Sequence, residues 1–413
     1  MIKNRYAILA LLTGLNFLNY IDRAVVAAVV KPMQAELALS NTEVGLLNTA
    51  FLIGYFLTSP LFGARADKGA RKGLIALGVA IWSVATIASG MAPGFWSLFA
   101  ARVVVGVGEA SYATLAPTII DDLTPEGSKG RALSIFFLAI PLGYAMGYIL
   151  GGFIAKHWGW RMAFYVAGGP GVVLALSCLA IVEPPRKLVE AKGKLIDGLK
   201  QMAQIPLFRR AVIGYCAYTA AVAGFSFFAP KFLLERFPHD LDEDTANRYF
   251  GLVLIAAGAI GTFVGGRWAD RSVAKLPPVP LDAPYDAKEN RGAINALLRV
   301  CAVGMLVAAP LAMIAFVVPV PAVFFGIAFV VEIGLFLSTS PVNAIFLRAV
   351  PSERRASAMA ASIFAIHLFG DLWSSAALGL LMDHVGLVAA MLALPVTFAL
   401  SGYLWWPRRR EAE

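Results

Sequence analysis

The sequence predicts an all-α membrane protein, twelve transmembrane helices in two six-helix halves, and three observations carry that expectation. The first is composition. The 413 residues are 59% hydrophobic and 15% charged, with a mean hydropathy of +0.72, too apolar and too sparsely charged for a soluble globular chain of this length. The second is that the apolar residues fall into runs of span length, about 20 residues each. The third is that features at helix boundaries in the first half recur in the second.

Span one, about 6–30, begins like a signal peptide with MIKNRY and an apolar run. That run carries Asn16, Asn19, Asp22 and Arg23 and lacks a small-residue cleavage site, so it is read as a retained helix. Spans two (43–64), three (73–92) and four (95–121) follow, the last an apolar run holding Arg102 and Glu109. Span five (130–155) sets Gly143, Gly147 and Gly151 four residues apart, and span eight (246–270) has Gly261 and Gly265. Such small residues let helix backbones approach and slide, so these two spans are expected to meet between the halves. Span six (160–183) completes an N-terminal half over 1–183. The polar break 184–207 has Pro184 and Pro206 near its ends and Leu188, Leu195, Ile196, Leu199 and Met202 near helical spacing. It reads as a basic amphipathic helix on the cytoplasmic surface or as a disordered linker. Spans seven (208–235), eight, nine (291–316), ten (321–347), eleven (354–382) and twelve (384–406) make a C-terminal half over 208–413.

The repeat is seen at three boundaries. Gly63, Asp67 and Lys68 after span two match Gly266, Asp270 and Arg271 after span eight. The stretch GFIAKHWG (152–159) matches GLLMDHVG (379–386), and Arg131-Ala132 matches Arg355-Ala356. Equivalent matches in chain order imply a parallel repeat. The net charge of +9 is a topology signal and no sign of nucleic acid. With a cytoplasmic N-terminus, 27 of the 35 Lys and Arg fall on inner segments and six on outer loops. Both termini are therefore expected inside, in a multi-pass membrane protein. Cys178, Cys216 and Cys301 sit singly on different spans, which suggests neither a disulfide framework nor a metal cluster.

Chemistry is expected where charge is buried. Arg102 and Glu109, seven residues apart, share one face of span four about 10 Å apart along its axis. Charge in hydrocarbon costs several kcal/mol unless it faces the bundle interior, water or a partner, so this face implies a polar cavity. Asp22 and Arg102 lie about 12 and 10 Å from the outer ends of their spans and can pair if both line that cavity, unless the pair is merely static. Asp22 and Glu109 are the proton-carrying candidates, Arg102 is the competing partner, and Arg23 is the anchor for an anionic head group. Glu332 and Asn343 lie near one face of span ten, with Glu332 equivalent within one residue to Glu109 under the repeat. Aromatic walls of the cavity are expected at Tyr112, Tyr215, Tyr218 and Phe225. His367, Asp371 and Ser375 recur every four residues, an interhelical hydrogen-bonding pattern.

The loop GARADKGARKG (63–73) resembles the signature loop between spans two and three of the major facilitator superfamily, with Ala70 where glycine is usual. The resemblance implies that fold and a gate at Gly63, Asp67, Lys68 and Arg71, repeated at Gly266, Asp270 and Arg271. More narrowly, NYIDR, VGVGEASYATLAPTIIDDL, AIPLGYAMGY and HLFGD are similar to the spinster family of lipid transporters. That resemblance implies proton-linked movement of lysophospholipids or sphingosine phosphates, with Asp22, Arg23 and Glu109 at functional positions. Short termini suggest a bacterial protein of the inner membrane.

The function expected is a secondary active transporter, a monomer without cofactor, whose partners are protons, membrane lipids and a small amphiphilic substrate. Two alternatives stand beside it. NYIDR also resembles proton-coupled symporters of sugar acids and carboxylates in the same superfamily. A polytopic lipid-modifying enzyme would need a nucleophile, metal cluster or acid–base pair, and four histidines offer no defensible metal site.

Overall fold

The computed structural model describes residues 2–66, 71–125, 128–183, 204–277, 287–350 and 355–407. The expected linker helix over 184–206 lies almost wholly outside the described residues. Sixteen α-helices run in order among them: α1 Arg5–Ala28, α2 Val30–Leu37, α3 Asn41–Ala66, α4 Arg71–Gly90, α5 Phe95–Leu123, α6 Lys129–Trp158, α7 Trp160–Leu179, α8 Pro206–Arg236, α9 Glu243–Ala274, α10 Lys288–Val317, α11 Pro321–Phe336, α12 Thr339–Arg348, α13 Arg355–Ile366, α14 Leu372–Val385, α15 Leu387–Met391 and α16 Ala393–Trp405. Eleven spans among the described residues are long and apolar enough to cross a membrane. In α1, Asn16, Asn19, Asp22 and Arg23 dilute the apolar run. The protein is thus an integral, multi-pass, all-helical membrane protein.

Three expected spans are broken, and each break has a proline behind it. Span one divides at Val29, span ten after Phe336 and span twelve at Leu392. Pro32, Pro341 and Pro395 each stand third in the helix that follows. Lacking an N–H, each leaves the carbonyl four residues back without its helical donor, and the chain turns there. Span eleven instead loosens into a π-turn over His367–Asp371 between α13 and α14.

The chain forms two compact units, Met1–Glu190 with Ser226–Leu252, and Ala191–Phe225 with Val253–Glu413. In the first, α3 crosses α5, α1 lies along α6, and α4 packs on α5 and α7. These crossings are close because glycine is there. A Cβ on Gly106 of α5 would stand 2.0 Å from the Phe51 carbonyl oxygen, and one on Gly54 of α3 2.1 Å from that of Val103. The glycine triplet of α6 packs on α1, within this unit, with Gly143 against the Phe17 carbonyl and Gly147 against Ala24. Gly261 packs at Ile333 of α11 and Gly265 at Leu337 just beyond it, in the second unit, while spans five and eight do meet, through Gly152 against Asn247 and Gly251 against Ala145 and Ile149. The spacing told which face was smooth but not which helix would use it. The N-terminus is strapped to the end of α7, where Ile2 donates to the Ala180 carbonyl and accepts from Val182.

In the second unit α10 packs on α11, α12 and α16. Trp405 anchors α16 by donating to the Ala211 carbonyl at 3.0 Å, and Ser401 donates to that of Gly214 at 2.8 Å.

Candidate functional site

Asp22 and Arg23 are consecutive on α1, so their side chains leave the helix about 100° apart and meet different neighbours. Asp22 is fully buried. Its Oδ2 accepts the hydroxyl of Thr86 from α4, while Oδ1 has no hydrogen-bond partner among the described residues. Arg23 turns to α5, where its Nε lies 2.6 Å from Oε2 of Glu109, also fully buried. Its guanidinium is caged by the rings of Tyr20, Phe51 and Tyr55, at 4.8, 4.9 and 5.3 Å from their centroids. Cation–π contacts of this kind strengthen where water is excluded.

Arg102 is 2% exposed and lies over the other side of this cage, 5.1 Å from the Phe51 ring centroid. Its Nε and Nη1, like Oε1 of Glu109, have no hydrogen-bond partner among the described residues. The four charges sum to zero when all are ionised, yet four of their side-chain polar atoms have no hydrogen-bond partner among the described residues. The expected direct pairing of Asp22 with Arg102 is not made. Asp22 takes a hydroxyl instead, and Arg23, expected as a free anchor, is engaged by Glu109.

Tyr112 is buried, its hydroxyl donating to the Leu12 carbonyl and its ring 5.5 Å from Trp82. It braces α5 against α1. In the second unit Tyr215 and Tyr218 stack at 5.6 Å, beside Trp405. Glu332 is 5% exposed and faces a cavity of about 20 Å³ lined by Phe225, Phe316, Phe324, Phe398 and Val331. Asn343 donates to its own helix at the Thr339 carbonyl, 2.8 Å. The break between α11 and α12 falls between Glu332 and Asn343, so the single face expected from continuous helical spacing is interrupted. His367 Nδ1 lies 2.9 Å from Oδ2 of Asp371 across the π-turn. That pairing is within one helix, where the spacing suggested bonds between helices.

Of the gate residues, Asp67 and Lys68 lie outside the described residues. Arg71 is 2% exposed, with Nη1 2.7 Å from Asp122, the same nitrogen 2.9 Å from the Thr118 hydroxyl, and Nε 3.4 Å from Glu183. Gly63 faces Thr114, Gly266 faces Ser340, and Asp270 and Arg271 are exposed. Thr86, Asp122 and Glu183 were not anticipated. The pair Asp121-Asp122 at the end of span four was the available signal for one of them, and nothing in sequence marks Thr86. Among the described residues no group of His, Cys, Asp and Glu is arranged to hold a metal ion.

A helical bundle that spans the membrane and sinks two carboxylates and two guanidinium groups into its interior is built as a transporter, since intramembrane charge is kept for function. The chain belongs to the Major Facilitator Superfamily, whose family model matches residues 12–370, and within it to the spinster family. It is 33% identical to the human protein spinster homolog 1 over 404 residues, covering 92% of this chain and 73% of that one. It is 30% identical to an Arabidopsis thaliana protein named probable sphingolipid transporter spinster homolog 2, over 90% of this chain and 79% of that one. Among solved structures, a bacterial homolog of the human lysosomal transporter spinster, in an inward-facing and unoccupied conformation, matches with a TM-score of 0.83. It is 24% identical and covers 98% of this chain and 97% of its own. Membership places the chain among transporters and not among enzymes.

Proposed function

We propose that this transporter is a proton-coupled secondary active carrier of amphiphilic anionic lipids, lysophospholipid-like or sphingosine-phosphate-like, working by alternating access. The observation that carries the reading is the neutral but incompletely hydrogen-bonded cluster of Asp22, Arg23, Arg102 and Glu109. With both acids ionised its net charge is zero. One proton on Asp22 or Glu109 leaves it at plus one, the charge an anionic head group neutralises. Proton and anion then favour each other's binding at one site, and linkage makes that coupling reciprocal. Arg102, with two unfilled N–H groups in the fixed fork of a guanidinium, is the side chain best prepared to receive a phosphate. Arg23 moves to that role if a proton on Glu109 loosens its hold.

The name of the Arabidopsis relative supports a lipid cargo. Tyr112, Tyr215, Tyr218, Glu332 and Asn343 are assigned to the cargo's path. Gly63, Asp67, Lys68 and Arg71, with Gly266, Asp270 and Arg271, are assigned to cytoplasmic gating by two halves, 1–183 and 208–413. The excess of Lys and Arg on segments read as inner supports cytoplasmic termini in a bacterial inner membrane.

The test is uptake of a fluorescent lysophosphatidylglycerol into liposomes carrying the full chain under an imposed pH gradient. Acceleration by the gradient and competition by unlabelled lysolipid or sphingosine phosphate are expected. Uptake indifferent to the gradient would remove proton coupling, and competition by a sugar acid alone would transfer the assignment to organic-anion symport.

A further inference from the structure

A serine or threonine buried in a helix readily gives its hydroxyl hydrogen to the carbonyl one turn back in its own helix. This chain does so at Thr58, Ser59, Ser89 and Thr114, whose hydroxyls donate to the carbonyls of Gly54, Tyr55, Ala85 and Ala110 at 2.7, 2.7, 3.0 and 2.7 Å. Thr86 departs from that habit. Fully buried on α4, it donates across to Oδ2 of Asp22 on α1. The orientation is imposed from behind. Ser83 and Ile87 press α7 where a Cβ on Gly168 would stand 2.7 Å from the Ser83 carbonyl oxygen and 3.0 Å from Ile87 Cγ1. Thr86, one residue before Ile87, is therefore turned about 100° from that contact, toward α1. The charges acting on Asp22 are Glu109 and Arg102 from α5 and Arg23 from its own helix. Tyr144 of α6 acts on Arg102, and Cys178 of α7 on Tyr112. Among the described residues, the Thr86 hydroxyl is the one hydrogen-bond donor to the Asp22 carboxyl.

We propose that Thr86 is a positioning residue for the proton step, a hydroxyl that keeps Asp22 bonded in both of its charge states. The inference rests on the proton-coupled reading given above and selects one of its two acids. An ionised carboxylate needs a donor and a protonated one needs an acceptor; a hydroxyl is both. With Asp22 ionised, the Thr86 hydrogen points to Oδ2. When a proton leaves hydronium and forms an O–H bond at Oδ2, that new O–H donates to Oγ1 of Thr86, and the Thr86 hydrogen swings to the Trp82 carbonyl one turn back. No covalent bond of Thr86 breaks, and release of the proton reverses the swing. A guanidinium has no acceptor to offer, so the contact that Arg23 gives Glu109 at 2.6 Å serves the charged form of that acid alone. A proton on Oδ2 of Asp22 thus costs no partner, whereas one on Oε2 of Glu109 costs an ion pair. Loading is thereby directed to Asp22.

The test is liposome uptake of fluorescent lysophosphatidylglycerol by the full chain, measured across pH under an imposed gradient and, separately, as exchange of the lysolipid with the same pH on both sides. Thr86→Val keeps the shape and removes the hydroxyl. Loss of a bond that favours the ionised carboxylate is expected to move the pH midpoint of gradient-driven uptake up by about one unit, tenfold in proton concentration, while equal-pH exchange stays within about twofold of the parent. Thr86→Ser, which keeps the hydroxyl, should hold the parent's midpoint. An unshifted midpoint in Thr86→Val overturns the inference, and so does an equal fall in both assays at every pH, which is what a packing role alone would give. If Thr86→Val does not elute as a folded species, Thr86→Cys decides: its thiol is a weak donor, a smaller shift in the same direction is expected, and no shift overturns the inference. A parent whose uptake ignores the gradient removes the proton-coupled reading and this inference with it. A gradient-driven parent with Thr86→Val unshifted removes this inference alone.

Discussion

Gly106→Ala is the substitution whose effect the structure defines best. Gly106 sits on α5 between Arg102 and Glu109, and its Cβ would stand 2.0 Å from the Phe51 carbonyl oxygen and 2.8 Å from the Tyr55 nitrogen. Both obstacles are backbone, so no side-chain rotation relieves them. Restoring an ordinary contact of 3.4 Å moves α3 away by about 1.4 Å. Overpacking of this kind costs about 1–3 kcal/mol, the upper part of that range applying where backbone must shift. Because α3 carries Phe51 and Tyr55, the displacement also opens the cage around Arg23, now 4.9 and 5.3 Å from those rings, with each contact worth about 0.5–2 kcal/mol. The expected outcome is a lower unfolding temperature in detergent together with a loss of gradient-driven uptake larger than the loss of folded protein. Gly14→Ala on α1 is the control. A Cβ there meets nothing within 4 Å, and removing a helical glycine is neutral or stabilising by up to about 1 kcal/mol. If Gly106→Ala unfolds at the same temperature as Gly14→Ala and transports normally, the α3–α5 crossing does not hold the site as argued.

Asp22→Asn should abolish uptake driven by a pH gradient while leaving the elution profile and unfolding temperature near the parent's; full gradient-driven uptake in liposomes would exclude Asp22 from coupling. Arg71→Met leaves Asp122 and Glu183 without their shared cation and should cost about 1–3 kcal/mol, read as a fall in unfolding temperature that Arg71→Lys partly recovers. The hydrogen bond from Lys156, followed by the Thr245 backbone N–H, holds the Asp242 carboxyl down from 3.8 to about 2. A depressed carboxyl stabilises the fold above its ordinary value and ceases to do so as pH falls toward the folded value. Asp242→Asn should therefore lower stability equally at pH 5.5 and pH 8, and a difference between the two would point to another titrating group at this contact.

The spans were legible because a bilayer leaves few ways to hide twenty apolar residues, and helix is the form that satisfies every backbone group within one segment. Depth was legible for the same reason. Arg102 and Glu109 were placed on one face by counting residues along a single helix, and both are buried. What counting cannot supply is azimuth between helices. Asp22 and Arg23 differ by one residue, and that step sent the acid to Thr86 and the base to Glu109, the reverse of the pairing that depth alone suggested. The glycine triplet shows the same limit, for spans five and eight do meet, but at Gly152 and Gly251, while the triplet itself packs on α1. The breaks at Val29 and Leu392 were written in Pro32 and Pro395, yet Pro60, Pro117 and Pro141 lie inside unbroken helices, so proline alone does not say which helix yields.

A buried ion cluster kept only for stability would be expected to close on itself. Replacing such a cluster by packed apolar residues is often neutral or stabilising, so its presence argues weakly for a structural role. Here the argument is stronger, because the cluster is incomplete. Arg23 and Glu109 make one tight bond, and Thr86 serves one oxygen of Asp22. Oδ1 of Asp22, Oε1 of Glu109 and two nitrogens of Arg102 find no hydrogen-bond partner among the described residues, two acceptor oxygens and two donor nitrogens in a region where an unmade hydrogen bond costs about 1–3 kcal/mol. On the function proposed above, a proton arriving at one of these oxygens and an anionic head group at the Arg102 nitrogens would satisfy both kinds together. Aromatic rings hold Arg23 on three sides and Arg102 on one, so of the two bases Arg102 has the looser packing around its guanidinium.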